Sequence, residues 1–396
     1  MNHLTIKDNI YWLGALDPDM RVFDIIFKAD HGTTYNSYLI KDKKTVLIDT
    51  VKDPFTDEFI SKLKTLTDLK DIDYIIASHA EPDHSGALLQ LLQYTNNATI
   101  IGSRAGCQFL KNIINEPFDF MTIEEHPTLN IGTCDLKFFP APFLHWPDAI
   151  LTYSEKERVL FSCDVFSSHY CDERMFDDLI DNFDDSFRYY YDCIIRPFKP
   201  YVLKAIERIK DLKIDVIATG HGPILRKDPQ RYIESWYNWS KRGEEKKTSI
   251  LVLYASIYGN TKKMAESLEK GMLTRDIDIT SFNINNPEIQ KIRDAIEKAD
   301  GLLVGSPTIA GDVPRPVWDV LALIKSVNSK IKLASAFGSF GWSGEATKMI
   351  EDRLSGLHIK LHKPPLKKKL IPNNEDLQEC FEFGEKFADA LLSLES

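Results

Sequence analysis

The chain has 396 residues, too many for one ordinary hydrophobic core, which implies two domains. Hydrophobic residues make up 43% and charged residues 27%, a balance that excludes a disordered or low-complexity protein. The net charge of -10 argues against nucleic acid as the natural partner, because a phosphate backbone selects basic surfaces. No apolar stretch is long enough to cross a membrane and no N-terminal signal pattern is present, so the expected location is cytoplasmic. The six cysteines form no Cys-x-x-Cys pair, which argues against a disulfide framework and against a thiolate metal site.

In chain order, apolar patterns predict short strands at 11–13, 38–40, 45–48, 74–77, 99–102, 136–139, 158–162 and 216–218. Helical periodicity predicts helices at 55–66 and 202–212. The charged run Lys241-Arg242-Gly243-Glu244-Glu245-Lys246-Lys247 reads as an exposed linker. Beyond it, apolar strands at 250–254, 302–304 and 333–337 alternate with helices, the βαβ rhythm of a parallel sheet. The expected domains are 1–246 and 247–396.

The run His79-Ala80-Glu81-Pro82-Asp83-His84 follows the strand at 74–77 and concentrates metal-ligand types in one loop. Imidazole and carboxylate ligands suit a borderline or hard transition metal better than a soft one. Three more candidates follow strands in the same way: His145 past 136–139, Asp164 after 159–163, and His221 after 216–220. Side chains at the carboxyl ends of neighbouring strands converge on one rim, so these residues are read together as one metal site. Asp49, ending the strand at 45–48, is a candidate acceptor for a ligand histidine, or a turn residue. Trp146 and the run Tyr189-Tyr190-Tyr191, with Tyr191 the first choice, are candidates to line the pocket or donate a proton; core packing is the alternative. His31, His126, His169, His358 and His362 lack a strand-end context and receive no role.

This order of ligands resembles the metallo-β-lactamase fold, an αβ/βα sandwich with a His-x-His-x-Asp-His loop and later His, Asp and His ligands. Glu81 stands where the second histidine would be, and a carboxylate there shifts preference from zinc toward iron or manganese. That departure resembles the flavodiiron branch. The resemblance implies one iron held by His79, Glu81 and His145, a second by Asp83, His84 and His221, and Asp164 bridging the two.

In the second half, Ser256-Ile257-Tyr258-Gly259-Asn260-Thr261 links the strand at 250–254 to a helix beginning at Lys262. Small hydroxylated residues opening a helix offer N–H groups and a positive dipole end, a phosphate cradle. It is neither a Walker loop nor a Gly-x-Gly-x-x-Gly turn. Ser306-Pro307-Thr308-Ile309 and Ser339-Phe340-Gly341-Trp342-Ser343-Gly344 follow the next strands, allow close approach of a planar ligand, and supply Trp342 as a stacking face. Three such loops resemble the flavodoxin fold, with flavin mononucleotide (FMN) at the strand ends. Ala310 and Gly311 stand where many members carry asparagine, a departure that weakens the expected flavin contact from that loop.

The expected fold class is therefore α/β and α+β: an N-terminal metallo-β-lactamase-like αβ/βα sandwich, then a C-terminal flavodoxin-like doubly wound parallel sheet. The two halves together resemble the flavodiiron proteins, or A-type flavoproteins. The resemblance implies FMN and two non-haem irons, with reduction of dioxygen to water or of nitric oxide to nitrous oxide. It also implies a head-to-tail homodimer or dimer of dimers, and an external electron donor such as rubredoxin or reduced coenzyme F420. Some members place a histidine near the metals within the segment Arg21-Val22-Phe23-Asp24-Ile25, which here has none. Two other functions stay open: a zinc-dependent hydrolase with a regulatory flavodoxin half, and a flavin-only electron carrier or sensor.

Overall fold

The computed structural model describes residues 3–95, 98–241, 247–325 and 330–394. The chain divides into two compact units, Met1–Arg242 and Gly243–Ser396. The division falls inside the charged run read as a linker, of which residues 242–246 lie outside the described residues.

The first unit is built on a seven-stranded and a five-stranded sheet. Strand side chains alternate between faces, so each sheet can bury both. Ile48, Ile76 and Ile101 of the first sheet meet Phe138, Phe161 and Ala218 of the second in one apolar core. On its other face the first sheet turns Leu39, Leu47 and Ile75 toward Phe59 and Leu63 of the helix Thr56–Leu66 and Leu110 of the helix Arg104–Ile114. The second sheet turns Leu151, Leu160 and Ile217 toward Val202 and Ile206 of the helix Lys199–Ile209 and Trp236 of the helix Pro229–Ser240. Helices outside and two sheets inside make an αβ/βα sandwich.

Strand direction then decides where the loops gather. Ile72–Ile76 runs parallel to Thr45–Ile48 and Thr99–Gly102. In the other sheet Asp135–Pro140 pairs antiparallel with Ile150–Ser154, which pairs antiparallel with Val159–Cys163, which runs parallel to Val216–Thr219. Asp135–Pro140, Val159–Cys163 and Val216–Thr219 therefore end at the same edge. The expectation of one rim of neighbouring strands is corrected here: the candidate ligands come from both sheets. Ile150–Ser154 was not expected, since all five residues are buried and the strand shows no in-and-out contrast.

The second unit holds a five-stranded parallel sheet in the order Asp278–Asn283, Ser249–Tyr254, Gly301–Gly305, Leu333–Phe340, Leu366–Lys369. In sequence order this is 2-1-3-4-5, so the connections leave the first strand in opposite directions and cover both faces. Ile250 and Val252 pack against Met264, Leu268 and Phe387, while Leu251 and Leu253 pack on the side of Ile292, Val317 and Ile350. Burial on both faces explains why the three central strands, Ser249–Tyr254, Gly301–Gly305 and Leu333–Phe340, read as continuous apolar runs. Among the described residues, no helix is long and apolar enough to cross a membrane.

Candidate functional site

Beyond Ile72–Ile76 the chain is held by Ser78, whose N–H donates to Asp49 Oδ1 at 2.7 Å. Pro82 then opens the one-turn helix Pro82–Ser85, and its preset φ suits a helix start. This turn brings Asp83 and His84 back beside His79. Asp49 and Cys163 adopt left-handed φ values of 55° and 48°, local strain of the kind that collects at working sites.

The seven candidate ligands fall into two groups that share one carboxylate. His79, Glu81, His145 and Asp164 form the first, and Asp83, His84 and His221 the second. In the first, Glu81 Oε2 lies 3.1 Å from His79 Nε2 and 3.0 Å from His145 Nε2. Asp164 Oδ2 lies 3.6 and 3.5 Å from the same two nitrogens. In the second, His221 Nε2 lies 3.2 Å from Asp83 Oδ2, and His84 Nε2 lies 3.5 Å from Asp83 Oδ1. Asp164 Oδ1 lies 3.2 Å from His84 Nε2 and 3.3 Å from His221 Nε2. Asp164 thus turns one oxygen to each group.

Two observations test whether metal ions fit. Both carboxylate oxygens of Asp83, and Oδ2 of Asp164, are buried and meet only histidine ring nitrogens, at 3.2 to 3.6 Å, a costly state unless something else binds them. The spacing of the donor atoms also matches the edges of a coordination shell with bonds of about 2.1 Å. The residues fit a pair of metal ions. The set is rich in charge: burial opposes it, yet the charges and hydrogen bonds of neighbouring histidines hold Asp83, Asp164 and Glu81 below the usual carboxylate range. Burial likewise opposes protonation of His221, but hydrogen bonds to Asp164 and Asp83 raise it to about 10. In the metal-free protein protons would take the places of the cations, and metal binding would release them.

The surrounding layer departs from expectation. His79 Nδ1 pairs with Asp148 Oδ2 at 3.1 Å, and that same oxygen accepts the Ala80 N–H at 2.7 Å. Asp148, not Asp49, is therefore the acceptor behind this histidine. Asp49 lies near His84 and Cys163, their candidate donor atoms within 4.8 Å of one another, but its hydrogen bond goes to the Ser78 backbone. Asp148 sits in the loop 141–149 with no strand-end signal, though its place three residues past His145 is a usable clue. His221 Nδ1 donates to the Thr34 carbonyl at 2.6 Å. With Nδ1 donating, each of these rings presents the Nε2 lone pair inward.

Trp146 sits edge-on to His79 with ring centroids 5.0 Å apart, so it does line the group. Tyr191 does not. Its hydroxyl bonds Ser240 at 2.8 Å in the core, while Tyr190 donates to Asp164 Oδ1 at 3.0 Å. Successive residues on a helix point about 100° apart, so only one of the tyrosine run can face the site. His169, given no role from sequence, is buried beside His221 with ring centroids 5.2 Å apart. Asp24 feels the site from the exposed hairpin Val22–Phe23/Phe27–Lys28: burial, then the charge of Glu81, raises its carboxyl.

In the second unit the three loops come together at the strand ends. Thr261 Oγ1 and Ser339 Oγ lie 2.9 Å apart, joining the first and third loops. The Ser256 N–H donates to Asn285 Oδ1 at 2.9 Å, and the Lys262 N–H donates to Ser256 Oγ at 3.3 Å. Gly259 (φ 81°) precedes the helix Asn260–Met272, and a Cβ on it or on Gly341 would meet nothing within 4 Å. Tyr258 and Trp342 stand 87% and 79% exposed beside this open ground, an arrangement that fits a flat ligand. In the Ser306 loop, Ile309 and Asp312 exchange backbone hydrogen bonds of 3.0 and 2.9 Å across Ala310 and Gly311, both at positive φ. That is a tight primed turn, in which asparagine is favoured and alanine is strained.

Fold and site together define a metallo-β-lactamase-like domain joined to a flavodoxin domain. Residues 33–222 match the ODP family beta lactamase, and residues 252–384 match flavodoxin. The chain is 41% identical over 400 residues to flavo-diiron protein FprA2 of Clostridium acetobutylicum, covering 99% of this chain and 100% of that one. It is 35% identical to a nitric oxide reductase of Moorella thermoacetica over 97% of this chain and 98% of that one. Among solved structures it is similar to the rubredoxin oxygen:oxidoreductase of Desulfovibrio gigas, with a TM-score of 0.70, 30% identity and 99% coverage of both chains. The chain belongs to the flavo-diiron protein family, the type A flavoproteins, whose cofactors are FMN and a non-haem pair of irons.

Proposed function

We propose that this chain is a flavodiiron oxidoreductase that reduces dioxygen to water, nitric oxide to nitrous oxide, or both. The observation that carries the reading is Asp164, whose two oxygens face two separate histidine–carboxylate groups. His79, Glu81 and His145 would hold one iron, Asp83, His84 and His221 the other, and Asp164 would bridge them. Ser256 to Thr261, Ser306 to Ile309 and Ser339 to Gly344 would hold the FMN phosphate and ring. When bound, the reduced flavin and the diferrous pair each supply two electrons: four reduce dioxygen to water, and two couple two nitric oxide molecules.

The protein's own residues set the conditions. Three carboxylates offset three of the four charges of two divalent cations and favour a harder metal than zinc. Asp148 and the Thr34 carbonyl fix the orientation of His79 and His221, so little reorganisation is needed when the metal's charge changes. Glu81 and His145 keep part of their side chains open, about 15% and 14%, and so offer the more accessible side to a diatomic substrate. A head-to-tail homodimer, alone or paired into a tetramer, would bring the flavin of one chain to the metals of its partner, with electrons supplied by a rubredoxin or reduced F420. The cytoplasm is the proposed location.

Metal and flavin analysis of purified protein tests the reading, followed by oxygen- and nitric-oxide-electrode assays with a chemical or rubredoxin donor. Two irons, one FMN and consumption of either gas are expected, with consumption abolished in His79→Ala. Two zincs with hydrolysis, or flavin reduction without gas consumption, would overturn it.

A further inference from the structure

We propose that the edge strand Leu366–Lys369 and the turn after it form a docking surface for a small acidic electron-carrier protein. This rests on the reading that the neighbouring loop Ser339–Gly344 helps to hold the flavin. Residues 346–371 carry seven Lys or Arg against two Asp or Glu, a local charge of +5 in a chain of net charge -10. A basic patch on an otherwise acidic chain attracts and orients an acidic partner.

The strand lies at the edge of the flavodoxin sheet and sorts its lysines by face. Lys368 turns inward, to Asp376 at 3.0 Å and to Glu379. Alternation then sends exposed Lys367 and Lys369 to the opposite face, about 7 Å apart. Lys363 joins them. Burial raises the carboxyl of Glu351 in the helix Ala346–Gly356, and the charges of Lys363, Lys348 and Lys367 oppose it, so these lysines gather near one point.

A second observation is apolar. Leu370 and Ile371, directly beyond the lysines, are 59% and 68% exposed. Apolar side chains rimmed by charge are the make-up of a docking site. Lysines on an edge strand also keep other strands from pairing with it. That role does not account for Lys363, which precedes the strand, or for exposed Leu370 and Ile371, which invite contact.

The place fits electron entry. Lys369 pairs with Phe340, and the Leu370 N–H donates to the Phe340 carbonyl at 2.8 Å, so the patch abuts the loop Ser339–Gly344. Electron-transfer encounters bury little area, and a patch of this size suffices. Two encounters, each oxidising one carrier by one electron, together with two solvent protons, supply the two-electron reduction of one FMN.

Calorimetric titration of the purified protein with a rubredoxin of net negative charge tests this without turnover. Lys367→Glu combined with Lys369→Glu should raise Kd about ten-fold and flatten its salt dependence. The same reversal at exposed Lys64 and Lys70 should change neither. Leu370→Asn suits the left-handed backbone there (φ 58°) and should raise Kd about five-fold with the salt dependence kept. Unchanged affinity in the Lys367/Lys369 variant, equal weakening in the control, or unchanged affinity in Leu370→Asn would each overturn the dock. So would a dimer lost in the Lys367/Lys369 variant on sedimentation, which would assign the face to a second copy. A failure of the flavin reading shows separately, as purified protein without FMN.

Discussion

At His79 both ring nitrogens are committed, Nε2 toward Glu81 and Nδ1 toward Asp148. Removing the outer partner frees the ring to rotate and weakens its basicity. Asp148→Ala should lower iron affinity about 10- to 100-fold, read by competition with a chelator. The two adjacent tyrosines offer a matched contrast. Tyr191→Phe loses the bond to Ser240 and should cost about 1 kcal/mol in urea unfolding with iron binding unchanged. Tyr190→Phe should instead alter the optical spectrum of the iron centre; spectral changes of equal size in both variants would contradict the assignment. For pH, His221 in the metal-free protein is raised from 6.5 to about 10 by Asp164 and Asp83 against burial. Its contribution to stability is full below 6.5 and is lost as pH rises through about 10. The metal-free melting temperature should therefore fall across that window, less so in His221→Gln, while iron affinity rises because the competing proton leaves. A flat profile would sink this account. The ligand types were readable here because coordination chemistry restricts them to few residues. Asp148 and Tyr190 were not, since carboxylates and tyrosines occur everywhere and only direction distinguishes them.

Among the elements, the helices Asn260–Met272 and Asn374–Leu392 pack at a distance only glycine allows. A Cβ on Gly384 would stand 2.2 Å from the Leu268 carbonyl oxygen, and one on Gly271 would stand 2.0 Å from that of Phe381. Both contacts are with backbone, which cannot swing aside. Gly384→Ala should destabilise the flavin-domain fold by about 1–3 kcal/mol, seen as FMN release at lower urea, with the iron centre intact. Strand patterns were legible where apolar residues cluster between turns: the expected 45–48 and 99–102 coincide with Thr45–Ile48 and Thr99–Gly102. The helix expected at 202–212 begins earlier, as Lys199–Ile209, because Pro200 sits comfortably in a first turn. Ile150–Ser154 was hidden by burial of both its faces.

For the whole molecule, two irons and one FMN per chain are expected by metal and flavin analysis, and a preparation carrying only zinc would return the first unit to hydrolase chemistry. The sequence by itself determined the candidate donor types, the carboxylate at Glu81 and the three loops of flavin-binding character, because metal preference and phosphate binding depend on local chemistry written in residue types and short runs. Only the tertiary structure decided that the candidate ligands descend from two facing sheets, that Asp164 turns one oxygen to each group, and that Tyr190 rather than Tyr191 reaches it. Those facts depend on strand direction, sheet packing and helix rotation. Such long-range geometry is fixed by the burial of whole faces, so no short stretch of sequence records it.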